Sequence, residues 1–542
     1  MLECAKTSNF RLLLSLPLLL GLVISGCVQS SPAASDEPVE LATTGEQTTT
    51  EDITTSIQDV SNSTQDATSA EDPTASPAAA PEETPSTLGQ LSSDEISEVM
   101  TILLDPNGPR EETLDRILTS NDERFIAVLI ELMRARQIGL IVGSYDKIID
   151  ALQELSDQKF LDDWPAWVEW YGQSELEPPP GFTGWKGQLL GRIDSGFSEF
   201  LSDELPSIIR TEEIMWGGVG VDGIPPLENA PMIPGSEASY LLDEEPVFGV
   251  VVNGDTRAYP LRIIDNHEMA NDVIGGVPVS IAYCTLCGAA IAYEAILPEG
   301  KPTTFGTSGF LYRSNKLMYD RLTRTLWNQL TGEPVLGELA ETDIRLNILP
   351  IVLTSWADWL DQHPDTLVLD RETGVYPGDF YEPGVLYGEY FASEETMFPV
   401  WQRSNLLEAK DFVYTLYLDG FPKAYDVKAL AQEIVLNDTV GPIPVVLIAA
   451  RDTVTVNGLS RRSGSVTYTN GGEVRAFDRG DENFEPGLTP DSVVDSAGRT
   501  WKVTEEALVG PDGETAPRIN GHLAYWFGWY AFFPETELYP EP

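Results

Sequence analysis

The sequence predicts an α+β protein, with an N-terminal helical, repeat-like segment followed by a mainly antiparallel β domain that carries a few helices. Two observations support this. Between residues 92 and 155 apolar side chains recur at three- and four-residue spacing, the period of a helix with one buried face. From about Trp216 the pattern changes to short β-branched and aromatic runs broken by Gly, Pro, Asn and Asp, as expected of strands joined by turns. The expected boundaries are a leader over 1–26, an acidic stalk over 27–90, the helical segment over 91–205 and the β-rich domain over 206–542.

In the leader, Lys6 and Arg11 precede the leucine-rich run Leu12 to Val23, and the chain then reads Ile24-Ser25-Gly26-Cys27. A basic n-region, an apolar h-region and small residues at a cleavage point describe an export signal. The apolar run falls short of the about 20 residues that a membrane-spanning helix needs. A cysteine directly after Ser-Gly resembles the lipobox of bacterial lipoproteins, whose thiol receives a diacylglycerol and whose new amino terminus is acylated. The expectation is a chain cut before Cys27 and held there by a lipid bilayer of the cell envelope, on its periplasmic or cell-surface face. Two or more acyl chains anchor stably where one does not.

From Val28 to Gln90 there is no aromatic residue, no Lys and no Arg, and twelve acidic residues run from Asp36 to Glu83. Such a stretch buries too little apolar surface to offset its ordering entropy, so it reads as a flexible, self-repelling stalk. Over the whole chain 33 basic residues face 86 acidic ones, a net charge of −53, which becomes −54 once Lys6, Arg11 and Glu3 leave with the leader. This balance argues against nucleic acid as a partner, because phosphate backbones are bound by clustered Lys and Arg that release counterions. It argues equally against a basic membrane-docking surface.

Helices begin at Ser92, which forms a capping box with Glu95 ahead of Ile96, Val99, Met100 and Leu103. Leu114, Ile117 and Leu118 mark a short helix. A longer one carries Phe125, Val128, Leu129 and Leu132 behind Asn121-Asp122-Glu123, and another carries Ile148, Ile149, Leu152 and Leu155 behind Ser144. Trp164, Trp167 and Trp170, three residues apart, form one packed face. In the β-rich part, Val247 to Val252, Asn253-Gly254 and Thr256 to Tyr259 predict a hairpin with a type I′ turn. Val277 to Tyr283, Gly288 to Tyr293, Val445 to Ala450, Ser465 to Thr469 and Val474 to Phe477 are further strands, and a short helix surrounds Trp356 to Leu360. His363 follows that helix as a C-terminal cap.

Of the four cysteines, Cys4 leaves with the leader and Cys27 is acylated, which leaves Cys284 and Cys287 in Tyr283-Cys284-Thr285-Leu286-Cys287-Gly288. Two intervening residues let both sulfurs converge from one turn, which suits a metal clamp, a redox dithiol or a small-loop disulfide. Spacing does not choose among these. His267, one of three histidines, lies shortly before the pair. Two thiolates and an imidazole form a soft, incomplete ligand set that suits copper or zinc, with Met269, Met318 or His522 completing it. Glu268, Asp272, Arg313, Asp320 and Trp327 are candidates for a ligand pocket, and the three carboxylates among them for acid–base work. Gly306-Thr307-Ser308-Gly309 lacks the spacing of a nucleophile elbow, and no phosphate loop, H-E-x-x-H or EF-hand loop occurs.

Several runs in order carry a resemblance. They are Asp265-Asn266-His267-Glu268-Met269-Ala270-Asn271-Asp272, Gly275-Gly276-Val277-Pro278-Val279, the cysteine motif, Thr304 to Gly309, Leu317-Met318-Tyr319-Asp320, Leu326-Trp327-Asn328-Gln329, Thr354-Ser355-Trp356 and Gly521 to Phe527. Over roughly residues 206–538 the chain resembles the bacterial and archaeal family catalogued as domain of unknown function 3179. The resemblance brings no established activity. It implies that His267, Cys284 and Cys287 belong to the family's motif, and it marks Met269 and Thr285 as departures, where an aliphatic residue and a proline are the rule. The functional expectation is an envelope-anchored metal or thiol redox centre. The alternative is a non-catalytic module that holds a small ligand or an envelope partner, stapled by a disulfide.

Overall fold

The computed structural model describes residues 90–451, 454–460 and 462–541. The leader, the acylation site Cys27 and the stalk up to residue 89 lie outside the described residues. No helix among the described residues is long and apolar enough to cross a membrane.

The mixed α+β architecture expected from the sequence is what the chain adopts. Helices Ser93–Leu103, Glu111–Ser120, Phe125–Gln137, Tyr145–Ser156, Trp164–Gly172, Phe182–Leu190 and Gly196–Phe200 come first. Glu95 caps the first helix by accepting the Ser92 N–H at 3.0 Å, and the Ser144 hydroxyl accepts the Lys147 N–H at 3.4 Å. Phe125–Gln137 opens without a side-chain cap; Asp122 is instead buried and paired with Arg124 at 2.6 Å. Trp164 and Trp167 are buried, and Trp170 meets Trp167 edge-on at 6.0 Å, so the tryptophan row is packing.

Three five-stranded sheets form the centre of the β-rich part. One orders strands Ile348–Leu349, Ala289–Glu294, Val277–Cys284, Met269–Ile274 and Leu227–Glu228. A second orders Ile351–Ser355, Pro246–Val252, Asp255–Pro260, Leu367–Leu369 and Met232–Pro234, and contains the expected hairpin, with Asn253 at φ 51° and Gly254 at φ 79° as a type I′ turn requires. The third orders Ile214–Trp216, Phe305–Tyr312, Asn315–Asp320, Leu326–Asn328 and Pro334–Leu336. Pairing is antiparallel except where Leu227–Glu228 meets Met269–Ile274 and where Leu367–Leu369 meets Asp255–Pro260. Further along, a four-stranded sheet pairs Phe412–Leu418 with His522–Tyr525, bringing the end of the chain back to its middle. An eight-stranded sheet runs from Val435–Val440 to Phe484–Pro486.

Packing at Gly249 shows how tightly a strand and helix Trp356–Gln362 approach. A Cβ at that position would stand 2.2 Å from the buried Trp359 ring, so only glycine admits the indole. Between the helical segment and the β-rich part the tie is electrostatic. Lys186, fully buried, ion-pairs with Glu131 at 2.7 Å and donates to the carbonyls of Thr211, at 3.2 Å, and Ile214. Lys186→Ala strands Glu131 and these carbonyls, and is expected to lower unfolding stability by about 3–5 kcal/mol, read by urea denaturation. A loss below about 1 kcal/mol, the worth of a surface pair, would show that this tie is not needed.

Candidate functional site

The cysteines occupy a tight connection between two strands. Val277–Cys284 runs into Thr285-Leu286-Cys287-Gly288 and returns as Ala289–Glu294, with Cys284 opposite Ala289. Cys287 N–H donates to the Cys284 carbonyl at 3.1 Å, and Gly288, at φ 63°, takes the left-handed step that re-enters the ladder. A Cβ on Gly288 would also meet the Phe412 ring at 2.8 Å. The turn draws the sulfurs to 2.8 Å, with the Cys284 thiol donating to Cys287 Sγ. Both are free thiols, 1% and 0% exposed.

Residues from distant parts of the chain close around this turn. Cys287 Sγ donates to the Ser314 carbonyl at 3.2 Å and accepts the Asn315 amide at 3.4 Å. Asn315 also donates to Gln329 at 3.1 Å, and Gln329 donates to the carbonyls of Ala282 and Ala289, one on each strand of the cysteine hairpin. Tyr390 donates its hydroxyl to the Leu286 carbonyl at 2.6 Å, and Tyr525 N–H donates to the Cys287 carbonyl at 2.7 Å. Burial pushes the Cys287 thiol far above its ordinary value, the adjoining Cys284 thiol adds to this, and the Asn315 amide opposes it.

A charged group adjoins the sulfurs. Lys316 Nζ donates to the Glu268 carbonyl at 3.0 Å and pairs with its carboxylate at 3.3 Å. Glu268 sits at φ 58°, a conformation unfavourable for a residue with a side chain. It is held there because its carbonyl also accepts the Tyr283 N–H at 2.8 Å. Burial lowers the Lys316 ammonium, and the negative charge of Glu268, then of Cys284, works against that. Asp265, 3% exposed, accepts from the Asn266 amide, and burial raises its carboxyl to about 7. Burial also raises the Tyr387 hydroxyl, and Glu268, Asp265 and Cys284 each add to the rise, so the three surround one phenol. Thr285 Oγ1, Asn315 Oδ1 and Asn266 Oδ1 are buried without hydrogen-bond partners.

The other residues singled out in the sequence have different surroundings. His267 is fully buried, with Nδ1 2.7 Å from the Pro225 carbonyl and Nε2 2.6 Å from the Tyr381 hydroxyl. A carbonyl only accepts, so Nδ1 carries the proton and Nε2 accepts from Tyr381, which in turn takes the Thr373 hydroxyl proton. Burial lowers this imidazole and keeps it neutral. Met269 and Met318, both fully buried, share one apolar cluster with the two cysteines. His522, which burial takes down to about 4, stands against Thr415. Among the described residues no group of three or more His, Cys, Asp or Glu is arranged to hold a metal ion. Asp272 binds Arg257 at 2.7 Å and Tyr259 at 2.6 Å. Asp320 accepts from the Thr323 N–H and the Trp327 indole, and Arg313 spans Glu213 and the Ala531 carbonyl. Only Glu268 of these five candidates adjoins the cysteines' charged neighbour Lys316.

Asp265, Asn266, Asn315, Lys316 and Gln329 were not singled out. A signal for them exists: amides and charges stand inside or beside otherwise apolar strands, where burial demands a partner. The family described as protein of unknown function (DUF3179) matches residues 221–536, more than half of the chain. The chain belongs to this family. The match takes in the cysteine turn and the residues that close on it from Ser314 to Tyr525, whereas the helical segment precedes it. No curated protein and no solved structure matches the chain.

The raised Asp265 carboxyl has a stability consequence. Its value is about 7 folded against 3.8 for an ordinary aspartate, so folding takes up a proton between these limits. The stabilisation is complete below about pH 4 and is lost as pH rises toward 7. Urea unfolding from pH 4 to 8 is expected to show the unmodified chain losing a few kcal/mol relative to Asp265→Asn. Parallel pH profiles for the two chains would refute the raised carboxyl.

Proposed function

We propose that this protein is a lipid-anchored thiol redox centre outside the cytoplasm, in which Cys284 and Cys287 pass between dithiol and disulfide. The observation that supports the reading is the 2.8 Å approach of the two sulfurs. A tetrahedral zinc site with Zn–S bonds near 2.3 Å holds its sulfurs ~3.7 Å apart, whereas a disulfide needs them at about 2.05 Å; the observed separation lies nearer the second. Oxidation forms the Cys284–Cys287 bond, releases two protons and passes two electrons to a partner disulfide, which becomes two thiols. Exchange begins from a thiolate, and the Lys316 ammonium near Cys284 and the Asn315 amide on Cys287 favour that form. Both sulfurs are buried, so the turn opens at the half-buried Leu286 before a partner reaches them. The leader ending at Cys27 supports an oxidising location, where such chemistry persists.

A second reading is favoured by Met269 and Met318, whose thioethers share the cysteines' cluster. Thiolates and thioethers together select copper(I). His267 is committed to Pro225 and Tyr381, so this form of the metal reading rests on sulfur alone.

One preparation separates the readings: the intact chain from an oxidising compartment without added metal, beside a Cys284→Ser, Cys287→Ser chain. Thiol titration and elemental mass spectrometry should find no metal and no free thiol before reduction, and two thiols after it, with a midpoint potential above about −300 mV. Stoichiometric copper or zinc absent from the variant would replace the redox reading with the metal one. A disulfide that resists glutathione buffers would leave a stapled binding module. For the anchor, Cys27→Ser is expected to move the chain from the membrane fraction to the soluble fraction, and unchanged membrane retention would count against acylation.

A further inference from the structure

A narrow cleft opens where the cysteine hairpin, the sheet containing Phe248 and Leu353, and the sheet containing Phe412 meet. It lies on the far side of the hairpin from the sulfurs, since Tyr283 and Cys284 alternate across the strand. The cleft encloses about 460 Å³ between atoms, of which about 30 Å³ is open to the centre of a water molecule. Phe248, Tyr283, Leu353 and Phe412 make its walls apolar and largely aromatic, which suits a flat ring and excludes a sugar.

The polar lining is short of acceptors. Tyr414 and Asn470, 2% and 3% exposed, line the cleft, and the Tyr414 hydroxyl and Asn470 Nδ2 have no hydrogen-bond partner. The Arg518 guanidinium stands beside Tyr414, where its charge lowers a hydroxyl that burial raises. Its side chain is 3% exposed, Nε and Nη1 lack hydrogen-bond partners, and its ion pair with Glu505 is long at 3.7 Å. Glu505 is better matched by Arg475 Nε at 2.9 Å, and Glu473 by Arg451 at 2.8 Å. His522, also on the lining, is held neutral by burial. Buried donors without acceptors are costly, so a group that accepts from them is strongly favoured.

We propose that this cleft binds a small planar aromatic carboxylate, with its ring between Phe248, Tyr283 and Phe412 and its oxygens accepting from Tyr414, Asn470 and Arg518. The proposal is independent of the cysteine chemistry. Glu473 Oε2 is also unpartnered, so a neutral amide that donates to it is the decisive comparison.

The test is calorimetric titration of the intact chain with benzoate, benzamide and acetate. Benzoate should bind saturably at one site, and benzamide and acetate at least about tenfold more weakly, the worth of one hydrogen bond to a charged group. Tyr414→Phe removes only an unpartnered hydroxyl, so it should keep its thermal midpoint and lose about tenfold in benzoate affinity; Asn470→Leu should weaken benzoate similarly. Three results would each overturn the proposal: no saturable binding up to about 10 mM benzoate, equal affinity for benzamide, or unchanged affinity in Tyr414→Phe.

Discussion

Burying a turn is the constraint on which the rest of this structure depends. Peptide groups cut off from water need partners, and the connection from Cys284 to Gly288 is buried except at Leu286. Its partners come from across the chain: Tyr390 for the Leu286 carbonyl, Tyr525 for the Cys287 carbonyl, and Gln329 for the carbonyls of Ala282 and Ala289 at the hairpin's two arms. Each supplier has to be held in turn. Tyr525 stands at the end of a strand paired with Phe412–Leu418, and Gln329 follows a strand paired with Asn315–Asp320. The motifs scattered along the chain therefore meet at one place because one turn uses them.

The helical segment contributes to the same closure. Leu286 packs at once against the helical core, the cysteine cluster and the cluster containing Tyr390. Trp401 inserts into the helical core, and its neighbourhood is tied to helix Trp164–Gly172 by Glu169, which accepts from Val400 N–H at 2.9 Å and from Arg403. Ser314, whose carbonyl takes the Cys287 thiol, donates its hydroxyl to Pro399 in the same stretch. The helices thus press the loop around residue 400 onto the cysteine turn, and opening of that turn is coupled to how firmly they pack.

Much of the fold was legible because it follows from local periodicity. The first helix, its Glu95 cap and the Asn253-Gly254 hairpin depend on residues a few positions apart, and the chain adopts each as its pattern dictates. The candidate site was legible only in part. Cys284 and Cys287 announced themselves by spacing, since two residues between them set the turn. His267 announced itself by type, but its hydrogen bonds go to Pro225 and Tyr381, which are 42 and 114 residues away in sequence. Asn315, Lys316 and Gln329 gave a weaker signal, because an amide or ammonium in a strand is meaningful only once its burial is known.

By itself the sequence determined the α+β class, the order of helical and β-rich parts, the family and the cysteine turn, all of which rest on composition, short-range spacing or motif order. Only the tertiary structure decided what surrounds that turn: Lys316 and Glu268 beside the sulfurs, Asn315 on Cys287, and a cleft with unpartnered donors behind Tyr283. The reason is physical. Hydrogen bonding and desolvation depend on which groups are close in space and dry, and strands far apart in sequence, such as Val277–Cys284 and His522–Tyr525, come together only through the sheets that pair them.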